Sequence, residues 1–173
     1  YALYWKGLYM QALEILRKGK KLANQHHTYF SLLTIIEFEK MIQSRHITRA
    51  GGDQINQLLQ ESREASTTIN HLIKLSNMQT ELHRFYIERG HVKSLEEERF
   101  VEKTFWPRLQ AYSAEILQWK EKVYYYQSMV WYHYLQNDFL GCLENAIQWV
   151  HILKQSKEQQ NREILLLMRG YNA

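Results

Sequence analysis

The sequence feature that most constrains the fold is the scarcity of residues that interrupt helices. No glycine or proline occurs between positions 53 and 89, and the chain of 173 residues contains seven glycines and one proline, Pro107. Folds built from many short strands need frequent tight turns, which glycine and proline favour. The sequence therefore predicts an all-α protein, and its 45% hydrophobic content is sufficient for a substantial core.

The spacing of apolar residues predicts where the helices lie. Apolar residues recur every three or four positions, as they do on amphipathic helices. A very long helix is expected from Asp53, which suits an N-cap, to Gly90. For this segment we expect a break in the helix near residues 76–77 rather than one continuous straight helix. The other predicted helices cover residues 8–23, 28–48, 94–106, about 108 or 113 to 135, 139–153, and a short segment at 164–168.

Two local signals predict the start and the end of the helix that begins at Ser94. Ser94 and Glu97 have capping-box spacing, in which the hydroxyl accepts a hydrogen bond from the Glu97 amide and the carboxylate reaches back. Proline disfavours helical geometry in the residue before it. This helix is therefore expected to stop or kink at Trp106 and Pro107.

The charge balance gives only weak support to nucleic-acid binding. The chain has 22 Lys and Arg against 18 Asp and Glu, a formal charge of +4. The densest basic patch is short and consists of Arg17, Lys18, Lys20 and Lys21, whereas nucleic-acid-binding proteins usually carry a contiguous basic stripe. A nucleic-acid-binding helical domain that uses this patch is therefore kept as the alternative function.

Other features favour a cytoplasmic protein without membrane segments. The single cysteine, Cys142, excludes an intrachain disulfide and fits a reducing compartment. The longest nearly apolar stretch, residues 31–38, is far shorter than the roughly 18 residues that a membrane-spanning helix requires, and no signal peptide is recognisable. The chain starts at Tyr1 without a methionine or an N-cap residue, so we expect one domain over residues 1–173 that belongs to a larger protein.

The segment at residues 6–23 combines five basic residues with two glycines. It is not a Walker-type phosphate loop, because Glu14 and Lys21 stand where that motif needs a glycine and a hydroxyl residue. A membrane-surface helix is also disfavoured, since Glu14 interrupts the basic face. Residues 6–23 instead align with residues 136–153 at an offset of 130, which indicates an internal repeat.

The two repeated segments resemble the second helix of a tetratricopeptide repeat, which has a Gly-x-aromatic-x-x-Ala signature. The matching residues are Gly7, Tyr9 and Ala12 and, more loosely, Asn137, Phe139 and Cys142. The whole chain is similar to longer-helixed, tetratricopeptide-like proteins of uncharacterised function that are common in bacteria. The resemblance covers the two ends of the chain. It implies antiparallel helix hairpins, stacked as a right-handed array or bundle, whose extended faces bind proteins or peptides.

The aromatic segment at residues 123–134 has two interpretations. Its helix is apolar nearly all round, which is typical of a helix buried between layers. Alternatively, Tyr125, Trp131 and Tyr132 line a partner-binding groove, because Tyr and Trp are enriched at binding hot spots. We prefer burial, since most large aromatic side chains are largely buried, and keep these three as candidate partner-binding residues.

No residue pattern predicts catalysis. Glu39 lies on an apolar stripe and is either an acid-base group or, as we prefer, the partner of a Lys, Arg or Tyr side chain. Cys142 stands where the repeat needs a small residue, which favours packing over nucleophilic chemistry. Glu88 and His91 form one Glu-x-x-His motif, whereas a helical di-iron site needs two. We therefore expect a non-enzymatic scaffold that binds a protein or peptide and uses no metal or other cofactor.

Overall fold

The computed structural model describes residues 1–46 and 52–155, and every regular element in these ranges is an α-helix. The prediction of an all-α protein is thereby confirmed. The helices are α1 (Ala2–Trp5), α2 (Tyr9–Gln25), α3 (Tyr29–His46), α4 (Gly52–Arg89), α5 (Leu95–Gln110), α6 (Trp119–Leu135) and α7 (Phe139–Gln155). The helix predicted at residues 164–168 and the predicted end of the second helix at 47–48 lie outside the described residues.

The chain divides into two compact units, Tyr1–Asn70 and a second that starts at His71. The boundary between Asn70 and His71 falls within α4. The prediction of one domain over residues 1–173 spans both units and stays a prediction.

Three turns between consecutive helices share one backbone geometry. Two positions before the next helix, the backbone is left-handed: φ is 72° at Gly7, 50° at His27 and 58° at Asn137. The following residue donates its amide to the carbonyl five positions back, as in a Schellman motif. The donor–acceptor pairs are Leu8–Leu3, Thr28–Ala23 and Asp138–His133, at 2.9, 2.9 and 3.0 Å. Because α2 packs on α3 and α6 on α7, the second and third of these turns close helix hairpins.

The core of the first unit joins α2 to α3. Ala12 and Leu13 of α2 pack with Ile42 of α3, which is fully buried. Ala12 is small enough for the two helix backbones to approach closely, as the repeat signature requires. Ala23, one turn from the end of α2, is also buried and continues this apolar face.

In the second unit, α6 contributes side chains to two apolar clusters. Val123 and Val130 of α6 pack against α7, and Cys142 of α7 belongs to the same cluster. Met129, Tyr132 and Leu135 belong instead to the cluster of α4 and α5 side chains. The α6 helix is therefore buried on more than one side, which confirms the preferred interpretation of the aromatic segment.

Neither the predicted break in α4 nor a stop of α5 at Pro107 occurs in the structure. The α4 helix is unbroken through Ser76 and Asn77, because Leu75 and Met78 on either side of them are buried in the core. The α5 helix continues through Pro107 to Gln110. Buried residues at 105 and 109 hold the chain on both sides of Pro107, so packing outweighs the lost backbone hydrogen bond.

The predicted N-cap of α5 is confirmed, with a difference in the amide that the Glu97 carboxylate contacts. The Ser94 hydroxyl accepts a hydrogen bond from the Glu97 amide at 3.2 Å. The Glu97 carboxylate, however, accepts from the amide of Lys93 at 2.9 Å, one residue before the N-cap. Both contacts satisfy backbone donors at the helix start, which lack partners within the helix.

Replacing Gly141 by alanine is expected to lower the free energy of unfolding by about 1–3 kcal/mol, although alanine favours helices. A Cβ at position 141 would lie 2.5 Å from both Asp138 Oδ2 and His133 Nδ1. These two groups contact each other at 2.8 Å, and Asp138 Oδ1 also accepts from the Gly141 amide at 3.0 Å. The measurement is urea denaturation. Leu140→Ala, at an exposed neighbouring position, should change stability by less than about 0.5 kcal/mol.

Candidate functional site

The three aromatic residues proposed for partner binding do not share one open surface. Tyr132 is 7% exposed and stacks on Trp106 with ring centroids 5.2 Å apart. Burial raises the pKa of the Tyr132 hydroxyl, as it also does for Tyr125. Trp131 is partly buried and packs against the cluster of α4, α5 and α6 side chains. Tyr132 is therefore a core residue, and Tyr125 and Trp131 border that core.

The structure also divides the basic patch. Arg17, Lys18 and Lys21 are exposed, and Lys18 pairs with Glu14 at 2.9 Å on the same helix face. Lys20 turns inward, where its ammonium lies 2.9 Å from Glu39 and 2.6 Å from Glu61. The four residues therefore do not present one continuous basic surface.

The inward pair of Lys20 and Glu39 confirms the preferred prediction for Glu39. Its side chain is 4% exposed, so the buried carboxylate is paired with an ammonium rather than placed in an open cleft. Burial alone would lower the pKa of Lys20, but the hydrogen bonds to Glu61 and Glu39 outweigh it and raise the pKa. This cluster is best explained as a structural tie between α2, α3 and the start of α4.

The other residues considered for chemistry have structural roles. Cys142 is buried against α6, and burial raises the pKa of its thiol, which disfavours the reactive thiolate. Glu88 pairs with Arg84 at 2.6 Å, and His91 Nδ1 lies 2.8 Å from the Tyr134 carbonyl. Across residues 1–46 and 52–155, no three His, Cys, Asp or Glu side chains are grouped so that they could hold a metal ion.

The buried carboxylate of Glu121 in the second unit caps a helix and also contacts a histidine. The Glu121 carboxylate accepts from the Gln118 amide at 2.6 Å through one oxygen. Its other oxygen lies 2.8 Å from His71 Nδ1, and the His71 ring meets Tyr112 edge-on at 5.4 Å. One carboxylate oxygen thus caps the start of α6, and the other holds α6 to α4.

The exposed side of α7 carries an apolar stripe that the sequence analysis did not identify. Leu140, Leu143 and Ile147 are 68%, 55% and 55% exposed, and their spacing of three and four residues places them on one side. The opposite side of α7 is buried against α6. We call these three residues the outer face of α7. The sequence alignment paired Leu143 with Leu13, but Leu13 is only 2% exposed.

A second set of exposed apolar residues lies on α2 but is not continuous. Leu8, Ile15 and Leu22 are 39%, 59% and 55% exposed and are spaced by seven residues. Successive members are therefore about 10 Å apart along the helix, at 1.5 Å per residue. The charged side chains of Glu14 and Lys18 are exposed on the same helix. The outer face of α7 is the more compact apolar surface.

No helix within the described ranges has both the length and the apolar character needed to cross a membrane. The resemblance to tetratricopeptide repeats stays a prediction, because the hairpin turns by themselves do not identify a family. Comparison with protein-family models, curated proteins and solved structures found no match for this chain.

Proposed function

We propose that this chain is a non-enzymatic protein-interaction scaffold that binds its partner through the outer face of α7. The observation that carries the proposal is the exposure of Leu140, Leu143 and Ile147 on one side of a helix whose other side is buried. A contiguous exposed apolar patch favours burial against another protein. Its residues span about 10 Å, or two helical turns.

The partner that fits this surface is an amphipathic helix of another protein. The 140, 143, 147 spacing is the pattern by which one helix packs against another, and α6 already packs in this manner on the opposite side of α7. Glu144 is exposed on the same helix between these apolar residues. A partner helix with an apolar stripe and a flanking Lys or Arg would therefore complement both the shape and the charge of this face.

The occupant of the face can be identified by crosslinking. Leu143 is replaced by the photoreactive amino acid p-benzoylphenylalanine in the full chain, which is irradiated in lysate of its source organism. Mass spectrometry of the product should find an amphipathic segment of a different protein. The same replacement at Gln148, which is exposed on α7 outside this face, should not yield that product. A crosslink to residues 156–173, to a second copy of this chain or to nucleic acid would contradict the proposal.

Leu143→Glu is expected to weaken binding of the identified segment by about thirtyfold, the effect of losing a central hot-spot residue worth about 2 kcal/mol. Gln148→Glu adds the same charge to the same helix and should leave the affinity nearly unchanged. Isothermal titration calorimetry with a synthetic peptide measures both. Equal affinities for the two variants would show that the outer face of α7 is not the binding surface.

A further inference from the structure

The apolar residues that α2 leaves exposed follow a seven-residue spacing. They are Leu8, at the N-cap, Ile15 and Leu22. Seven residues correspond to nearly two full turns of an α-helix, so the three side chains lie along one side of α2. This heptad spacing is the pattern by which one helix packs along another in a coiled coil. We call these three residues the heptad stripe of α2.

The preceding helix α1 is too short to cover the heptad stripe. From Leu8 to Leu22 the stripe extends about 21 Å along the helix axis. The α1 helix has four residues and contacts the start of α2, where Tyr4 meets Tyr9. The α3 helix packs on a different side of α2, which buries Ala12. The stripe can therefore accept a further helix along most of the length of α2.

Two charged residues beside the stripe select the direction of that helix. Glu14 and Lys18 are both exposed and lie four residues apart on the same side of α2. If two copies of α2 pack antiparallel about a two-fold axis near Leu16, Glu14 of each copy lies opposite Lys18 of the other. Parallel copies would instead place Glu14 against Glu14, and like charges at an interface repel each other.

The same antiparallel arrangement also brings the aliphatic residues of the two copies together. Ile15 lies close to the two-fold axis and therefore beside its counterpart. Leu8 of each copy lies beside Leu22 of the other, within about one residue of the same level along the axis. The heptad stripe is thus complementary to itself in both shape and charge, as a two-fold symmetric interface requires.

We propose that this chain forms an antiparallel homodimer through the heptad stripe of α2. The interface is independent of the outer face of α7, so the dimer goes beyond the proposed scaffold function. Its consequence for that function is bivalency, because a dimer presents two copies of the partner-binding face.

Sedimentation velocity of the full chain over a concentration series measures the assembly. A reversible equilibrium between monomer and dimer is expected. Ile15→Glu removes the central aliphatic contact and places two carboxylates beside the two-fold axis, so it should weaken dimerisation at least about thirtyfold. Met10→Glu introduces the same side chain at an exposed apolar position about 140° around the helix from Ile15 and should dimerise like the original chain.

Charge reversal tests the antiparallel direction. Glu14→Lys places two like charges opposite each other at both ends of the contact and should weaken dimerisation about tenfold. The double variant Glu14→Lys/Lys18→Glu exchanges the two charges and should restore the original affinity, because each acid again faces a base. If Glu14→Lys dimerises like the original chain, the antiparallel arrangement is wrong.

Each variant is first checked for an unchanged helical circular dichroism spectrum. A chain that stays monomeric up to millimolar concentration overturns the proposal, as does a dimer that Ile15→Glu leaves intact. Leu143→Glu, on the outer face of α7, should not affect the dimer. If Leu143→Glu dissociates it, the two copies associate through α7 and the heptad stripe is not the interface.

Discussion

Lys20→Met is expected to lower the free energy of unfolding by about 3 kcal/mol, because it leaves the Glu39 carboxylate buried without its ammonium partner. Methionine has nearly the length of lysine, so lost packing contributes little. Glu61 also loses its contact with Lys20, but it is more exposed and regains water. Urea denaturation followed by circular dichroism measures the change.

The matched control is Lys21→Met, which makes the same replacement at the next, exposed position of α2 and should change stability by less than about 0.5 kcal/mol. Removing both charges in Lys20→Met/Glu39→Leu should restore much of the loss, since a buried ion pair replaced by apolar residues is often nearly neutral. If Lys20→Met and Lys21→Met are equally stable, the inward position of Lys20 is wrong.

The contribution of Lys20 should also depend on pH. Its pKa is raised in the folded chain, so its stabilising effect is fully present below the usual lysine pKa of about 10.4 and is lost as the pH rises through the higher folded pKa. The stability difference between the original chain and Lys20→Met should therefore stay constant from pH 7 to 9 and decrease above that. A difference that decreases between pH 7 and 9 would contradict this sign.

Leu82→Ala is expected to lower the free energy of unfolding of the second unit by about 3 kcal/mol, within the range measured for buried leucines. Leu82 of α4 is fully buried and belongs to the same cluster as Val101, Phe105 and Leu109 of α5. Truncation leaves a cavity that these neighbouring helices can only partly close. Tryptophan fluorescence during urea denaturation is a suitable probe, because Trp106 and Trp131 pack against this cluster.

The control for this variant is Ile87→Ala on the same helix. Ile87 is 68% exposed, so its truncation removes little buried surface and should change stability by less than about 0.5 kcal/mol. Equal effects of Leu82→Ala and Ile87→Ala would mean that this side of α4 is not packed as described.

Local sequence signals determined where most helices begin and end. Apolar spacing predicted helices from residue 8 and from Phe139, and α2 and α7 begin at Tyr9 and Phe139. The Ser94 cap was predictable because its partner lies three residues away. The interruption between α2 and α3 was predicted at residues 24–27, but its left-handed backbone at His27 was not.

Structural features that depend on contacts with neighbouring helices were predicted less well. Pro107 was expected to end or kink α5, but the helix does not end there because residues on both sides of it are buried. Lys20 was placed in an exposed basic patch, although it turns towards Glu39. Both differences arise because interactions with other helices outweigh a local preference.

The sequence by itself determined that this protein is helical, and it favoured burial of the aromatic segment and a packing role for Cys142. These properties follow from composition and from periodicity along one helix. Only the tertiary structure decided which side of each helix is covered, as the contrast between buried Leu13 and exposed Leu143 shows. It also brought the side chains of α3 and α4 together around a cavity. The physical reason is that periodicity defines the faces of a helix, whereas burial of a face depends on which helix packs against it.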